Sequence, residues 1–166
     1  MKLKLGHIVA PPGATINLSS PLFHRWARDC IQCFEGFKPA KFSPVPYSLL
    51  CRALEYELKS RLLRHVHVGG PSRKTIKDKY KHDLLKAYQA LEPTDQILDD
   101  VGMKLLRQTN DIYNDNKGFD YVDLFDSVSG HKRFPNLDDL KLLADKLIAH
   151  GDSFPVDDRS WGRKSL

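Results

Sequence analysis

Residues Tyr47 to Leu91 read YSLLCRALEYELKSRLLRHVHVGGPSRKTIKDKYKHDLLKAYQAL, and they contain two amphipathic segments separated by Gly69-Gly70-Pro71. In the first segment, six positions recur at the spacing of one face of an α-helix: Leu50, Ala53, Leu54, Glu57, Leu58 and Arg61. A similar stripe in the second segment consists of Tyr80, Leu84, Tyr88 and Leu91. Glycine and proline end a helix, so we predict a helical hairpin that the remaining helices cover.

The predicted fold is all-α, an up-and-down bundle of about five helices with an extended N-terminal arm. Start and stop signals predict helices at 20–34, 47–67, 72–91, 95–113 and 136–150, with Thr94 and Asn136 as N-caps. Residues 119–125 alternate in hydrophobicity but have no second strand to pair with, so we expect a helical turn or a packed loop. The expected organisation is an arm at 1–19, the bundle at 20–150 and a tail at 151–166.

The composition is that of one soluble domain: the chain has 166 residues, of which 41% are hydrophobic and 28% are charged. No apolar run approaches the ~18 residues that a membrane span needs. Pro11-Pro12 interrupts a short N-terminal apolar stretch, which argues against a signal peptide and leads us to expect a cytoplasmic protein. Cys30 and Cys33 have CxxC spacing inside a predicted helix. We expect these two cysteines and Cys51 to be buried free thiols. No metal or cofactor is predicted.

Positive charge is concentrated in one segment. Between Arg61 and Lys86 there are eight Lys or Arg and two Asp, so this segment has a net charge of +6. The whole chain has a net charge of +5, so the remaining residues together have a net charge of −1. Such a patch indicates an anionic partner, and we expect RNA, a nucleotide phosphate or an acidic partner protein. The predicted binding residues are Arg64, Arg73, Lys74, Lys77, Lys79 and Lys81.

Glu57 lies in the apolar stripe of the first segment and therefore needs a partner, since an unpaired buried carboxylate is costly. The candidate partners are His82, on the second segment, and Arg61, one turn along the same helix. We predict a structural pair of Glu57 with His82 or Arg61. The alternatives are an acid–base couple and a glutamate that faces water.

Several short motifs resemble those of the HEPN domain (higher eukaryotes and prokaryotes nucleotide-binding). They are Ala53-Leu54-Glu55-Tyr56-Glu57-Leu58-Lys59, then Lys81-His82-Asp83-Leu84, and finally Arg133-Phe134-Pro135 ahead of an Asp-rich last helix. The resemblance covers roughly residues 20–150. It implies an up-and-down helical bundle that is often dimeric, with some members acting as RNases and others as accessory domains.

Catalytic members of that family carry an Arg-x(4–6)-His motif on a late helix. Here the pair with this spacing, Arg61 and His67, lies at the end of the long early helix, and Leu62 follows the arginine. Six positions place the two side chains about 120° apart on a regular helix. We therefore expect a non-catalytic binding or accessory module, homodimeric and belonging to a stress or defence system. The alternative is a metal-independent endoribonuclease in which His67 moves a proton and Arg61 stabilises charge on the phosphate.

Overall fold

The computed structural model describes residues 19–39, 43–64, 73–114 and 134–154. Its α-helices, in chain order, are α1 (Ser20–Gly36), α2 (Val45–Arg64), α3 (Arg73–Tyr80), α4 (Leu84–Gln89), α5 (Asp100–Tyr113) and α6 (Leu137–Asp152), with a 3-10 turn at Pro93–Asp95. These ranges contain no β-strand, and the predicted all-α bundle is confirmed. The predictions for the N-terminal arm up to residue 18, residues 119–125, Arg133 and the C-terminal tail from residue 155 fall outside the described residues. Gly151 and Asp152, predicted as the start of the tail, belong to α6.

Helix α2 lies at the centre of the bundle. All six residues of the predicted stripe, from Leu50 to Arg61, are buried. Burial extends beyond that face to Cys51, Glu55 and Leu62, because α1, α6, α4, α3 and α5 all contact this helix. The predicted buried face is therefore confirmed, but the buried part of α2 is wider than that face. None of the helices within the described ranges is long and apolar enough to cross a membrane.

Local signals account for the ends of several helices. The side chain of Asn136 accepts hydrogen bonds from the backbone N–H groups of Asp138 (2.9 Å) and Asp139 (3.1 Å), which confirms the predicted cap of α6. The predicted start at Thr94 is wrong, since Pro93–Asp95 forms a 3-10 turn and α5 begins at Asp100. Asp99 provides the cap there, and it accepts from the N–H of Gly102 at 2.8 Å.

The predicted single helix from 72 to 91 is broken into α3 and α4. Lys81 has a φ of +40°, in the left-handed region that L side chains rarely adopt. Asp83 then starts α4 by accepting from the N–H of Lys86 at 2.9 Å. The side chain of Asn110 on α5 accepts from the N–H groups of Leu84 (2.7 Å) and Leu85 (3.3 Å), so a tertiary contact fixes the new start.

The three cysteines are free. Cys51 is buried in α2, whereas Cys30 is partly exposed and Cys33 is exposed on α1. The expectation of buried thiols is therefore wrong for Cys33 and holds only in part for Cys30, which packs against the core residues Ala27, Ala53 and Ile148.

A polar node joins α1, α2 and α6. It consists of the buried Glu57 and Arg61, the mostly buried His24 and the partly exposed Asp152. The guanidinium of Arg61 is 0% exposed and donates to the carboxylate of Glu57 at 3.1 Å and to the carbonyls of Asp95 (2.9 Å) and Leu147. Glu57 therefore pairs with Arg61, one of its two predicted partners.

The other oxygen of Glu57 accepts a hydrogen bond from Nδ1 of His24 at 2.6 Å. The Nε2 atom of the same ring lies 2.7 Å from the carboxylate of Asp152, which Arg28 also contacts. Both ring nitrogens thus face carboxylates, and the bond to Glu57, opposed by burial and helped by Asp152, raises the pKa of His24.

Gly151 allows α6 to approach this polar node. A Cβ at this position would lie 2.3 Å from Oε1 of Glu57 and 3.0 Å from the ring of His24. Glu57 cannot swing aside, because its carboxylate is buried and held by Arg61 and His24. Substitution by alanine must therefore separate α6 from α2 or break the ion pair.

We expect Gly151→Ala to lower the free energy of unfolding by about 2–3 kcal/mol, through overpacking and disruption of the polar node. Urea unfolding followed by circular dichroism measures this change. Gly36→Ala is the control, because a Cβ there meets nothing within 4 Å and alanine favours a helix. Equal stability of the two variants would contradict the proposed close approach.

The polar node also predicts a pH dependence of stability. Because the pKa of His24 is raised above its ordinary value of 6.5, its stabilising charge is fully present below that value and is lost as the pH rises through the folded pKa. The difference in unfolding free energy between wild type and His24→Gln should therefore be largest below about pH 6.5 and should shrink as the pH rises above it. Urea unfolding at several pH values tests this, and a difference that grows with pH would contradict it.

Candidate functional site

Helix α3 presents three of the six predicted binding residues, Lys74, Lys77 and Lys79, to solvent. Its buried side consists of Ile76 and Tyr80, one turn apart and each 3% exposed. The lysine surface, as we call it, consists of the exposed residues Lys74, Lys77, Lys79 and Lys81. None of these four lysines is ion-paired with another residue in the part of the chain that the structure describes. Their charge is therefore available to an external anion.

The two aspartates of this segment offset only part of this charge. Asp78 is exposed on α3, whereas Asp83 caps α4. Lys86, exposed on α4, extends the positive region past the turn. Residues 74–86 thus carry five lysines against two aspartates, one of which is committed to a helix cap.

Arg64 does not belong to the lysine surface. Its side chain is 23% exposed, Nη1 lies 3.6 Å from a carboxylate oxygen of Asp95, and the guanidinium lies 3.8 Å from the ring centroid of Phe154. Burial lowers the pKa of Arg64, although Asp95 opposes this effect. Arg64 as a binding residue stays a prediction, and its inward contacts with Asp95 and Phe154 separate it from the exposed lysines. The side chain of Arg73 and all of His67 lie outside the described residues.

The predicted pair of Glu57 with His82 does not form. The two glutamates of α2 are two positions apart, which places them about 200° apart around the helix. Glu57 faces α1 and α6, whereas Glu55 faces the turn between α3 and α4. It is Glu55 that contacts His82, at 3.0 Å from Nδ1.

The Glu55 cluster, as we call it, consists of Glu55, Lys59, His82 and Tyr113. The carboxylate of Glu55 accepts hydrogen bonds from the hydroxyl of Tyr113 at 2.6 Å and from the ammonium of Lys59. Arg52 lies 3.4 Å from the same carboxylate. Burial alone would raise the pKa of Glu55, but the bonds from Lys59, Tyr113 and His82 together lower it.

The Glu55 cluster adjoins the lysine surface at His82. His82 follows Lys81 directly and its side chain is 54% exposed, so one edge of the ring is in solvent and the other contacts a buried carboxylate. The ring of Tyr113 lies 5.9 Å away in an edge-to-face arrangement. Sequence analysis missed Glu55 and Tyr113. The spacing of Arg52, Glu55 and Lys59 at i−3 and i+4 was a usable signal for Glu55, but no local signal pointed to Tyr113.

The lysine surface offers ammonium groups on flexible side chains. Such hydrated point charges suit phosphate oxygens as partners. The aromatic residues closest in sequence, Tyr80 and Tyr88, are each 3% exposed and belong to the core. Base stacking on these rings is therefore excluded, and contacts to a phosphate backbone remain.

The chain matches no family model, no curated protein and no solved structure. Its function is therefore inferred from the geometry and charge of its own residues.

Proposed function

We propose that the chain is a HEPN-like, non-catalytic binding module that holds RNA on the lysine surface. The observation that carries this proposal is the exposure of Lys74, Lys77, Lys79 and Lys81 without an ion-pair partner among the described residues. Lysines that neutralise phosphates release counterions, which provides affinity without sequence specificity.

An acidic partner protein fits this surface less well than a polyanion. The cores of protein interfaces are depleted in lysine and enriched in aromatic residues and arginine, which supply the dominant anchors. On α3 and α4, the aromatic residues Tyr80 and Tyr88 are buried. The exposed groups are mainly ammonium ions, so phosphates are the better match.

A free nucleotide is also a weaker match than an RNA strand. Small-molecule sites are concave, whereas the lysines project from the convex side of a helix. Lys74 and Lys79 are separated by about 7.5 Å along the helix axis and by about 140° around it, so they would contact different phosphates. An open groove of about 530 Å³ does exist, but it lies between α1 and α6, where Ile31 and Ile148 contribute to its lining.

The position of Arg61 favours binding over cleavage. A catalytic arginine must reach the phosphate that reacts, as the endoribonuclease alternative requires. The guanidinium of Arg61 is instead buried and donates to Glu57 and to two backbone carbonyls.

The direct test is the affinity for a labelled single-stranded RNA, measured by fluorescence anisotropy at several salt concentrations. Replacing Lys74, Lys77 and Lys79 together by glutamine should weaken binding and reduce the slope of log K against log salt by about 2, because each lost phosphate contact contributes about 0.7. Glutamine retains helix propensity, so α3 should remain folded.

The matched control replaces Lys38, Lys104 and Arg107 by glutamine, which removes the same charge from exposed positions elsewhere. Equal weakening by both triple variants would contradict a specific role for the lysine surface. Absence of RNA binding by the wild type would leave the acidic partner protein as the better hypothesis. Shortened RNA with the wild type but not with His67→Ala would identify the endoribonuclease instead.

We also propose that the module is a homodimer, as the resemblance to HEPN domains implies. Val101 on α5 and Leu142 on α6 are 78% and 68% exposed. The ion pair between Lys146 and Asp99, at 3.7 Å, brings the start of α5 next to α6. Both aliphatic side chains thus lie on neighbouring helices, where a second copy could cover them.

Light scattering at micromolar concentration should give a dimer for the wild type and a monomer for the double variant Val101→Ser, Leu142→Ser. Both side chains are exposed, so the double variant should retain its fold, which circular dichroism checks. A monomeric wild type would contradict the dimer.

A further inference from the structure

Two cysteines lie next to each other on the second half of α1. Cys30 and Cys33 are three positions apart, so their side chains are about 60° apart around the helix and about 4.5 Å apart along it. Both thiols are free; Cys33 is exposed and Cys30 is partly exposed. Cys33 is close enough to raise the pKa of Cys30, an effect second to that of burial. The two thiols therefore form a pair that an ion in solvent reaches from the side of Cys33.

The spacing of this pair suits an ion between the sulfurs better than a disulfide. The Cβ atoms of residues three apart on a helix are separated by about 5–6 Å, whereas a disulfide needs about 3.5–4.5 Å. A metal–thiolate bond is about 2.3 Å long, so an ion in line between two sulfurs holds them about 4.6 Å apart. A bridging ion therefore demands less distortion of α1 than a disulfide does.

The number of available ligands selects the class of ion. Structural zinc takes four protein ligands, and the described ranges contain no group of three or more His, Cys, Asp or Glu side chains arranged to hold a metal. Thiolates are soft ligands that favour monovalent copper, an ion that two sulfurs alone can coordinate. Ala27, Ala53 and Ile148 pack against Cys30 and exclude water from that side. An ion that needs no water ligand is favoured by such an apolar surrounding.

We propose that Cys30 and Cys33 form a two-thiolate site for monovalent copper. Binding forms two copper–sulfur bonds and breaks two S–H bonds, and both protons pass to solvent. Copper stays monovalent throughout, so the step needs neither an oxidant nor a reductant. One cation and two thiolates leave a single negative charge on the site.

The charged groups around Cys30 act on this negative charge. From α2, Arg52 stabilises negative charge at Cys30 and Glu55 opposes it, while Asp29 on α1 also opposes it. Glu55 is itself engaged by Lys59, and Asp29 is exposed, so water screens its charge. Arg52 is therefore the group that compensates the charge of the copper site.

The test uses the full reduced chain without oxygen and the coloured complex of monovalent copper with bathocuproine disulfonate as the probe. The wild type should remove about one equivalent of copper from this chelator, because two thiolates bind one ion. Cys30→Ser and Cys33→Ser should each remove none, since a single thiolate remains at the site. Cys51→Ala is the matched control: Cys51 is buried in α2, so this variant should take copper as the wild type does. Circular dichroism verifies that all four proteins are folded.

Two further measurements test the coordination and the role of Arg52. Arg52→Gln should bind copper more weakly than the wild type while keeping the same stoichiometry. Zinc ions at equal concentration should not displace the copper, and displacement would overturn the two-thiolate assignment because it requires more ligands. No transfer to a wild type whose thiols titrate as reduced, or equal transfer to Cys30→Ser and Cys33→Ser, would overturn the site itself.

Discussion

The buried guanidinium of Arg61 determines how the three largest helices of the bundle meet. A charge with no exposure is tolerated only where its donors find acceptors, and Arg61 finds a carboxylate on its own helix and carbonyls at Asp95 and Leu147. These bonds tie α2 to the turn before α5 and to α6. Glu57, held by Arg61, then accepts from His24 and thereby attaches α1. Displacement of any of these helices would leave a buried charge without a partner, so the polar node specifies their packing as well as stabilising it.

One of the two buried glutamates of α2 contacts groups inside the bundle, and the other contacts a residue beside the candidate functional surface. Glu57 contacts groups of α1 and of α2 itself, whereas Glu55 contacts groups of the α3–α4 turn and α5. Both carboxylates are carried by the helix that has the most neighbours in the bundle and is therefore the most rigid support available. A site supported by such a helix is more precisely placed than one supported by loops alone. The position of His82 thus depends on the core even though its ring reaches solvent.

The sequence was sufficient to predict several features that depend on local periodicity or capping, although the start of α5 was misplaced at Thr94. The stripe on α2, the cap at Asn136 and the exposed lysines of α3 are of this kind. The break at Lys81 could not be predicted in this way, because the helical pattern continues through it and the new start depends on Asn110, 26 residues from Leu84. The partner of His82 was misassigned for a similar reason: both glutamates of α2 are buried, and the choice between them depends on where α5 places Tyr113. In each case a tertiary contact contributes, and of the contacts involved only the cap of α4 by Asp83 is local in sequence.

In the basic segment 61–86, the arginines of α2 and the lysines lie in different environments. Its two arginines on α2, Arg61 and Arg64, point inward. The planar guanidinium of Arg61 satisfies three fixed acceptors at once, whereas that of Arg64 lies beside Asp95 and the ring of Phe154. Its lysines lie on the outside of α3 and in the turn that follows, where a strongly hydrated ammonium on a flexible stem loses little by staying in water. The net charge of the segment therefore overstates the charge that a partner would meet, since part of it is neutralised inside the bundle. What remains at the surface is a set of mobile point charges beside one fixed imidazole, and this arrangement suits a flexible polyanion better than a small rigid ligand.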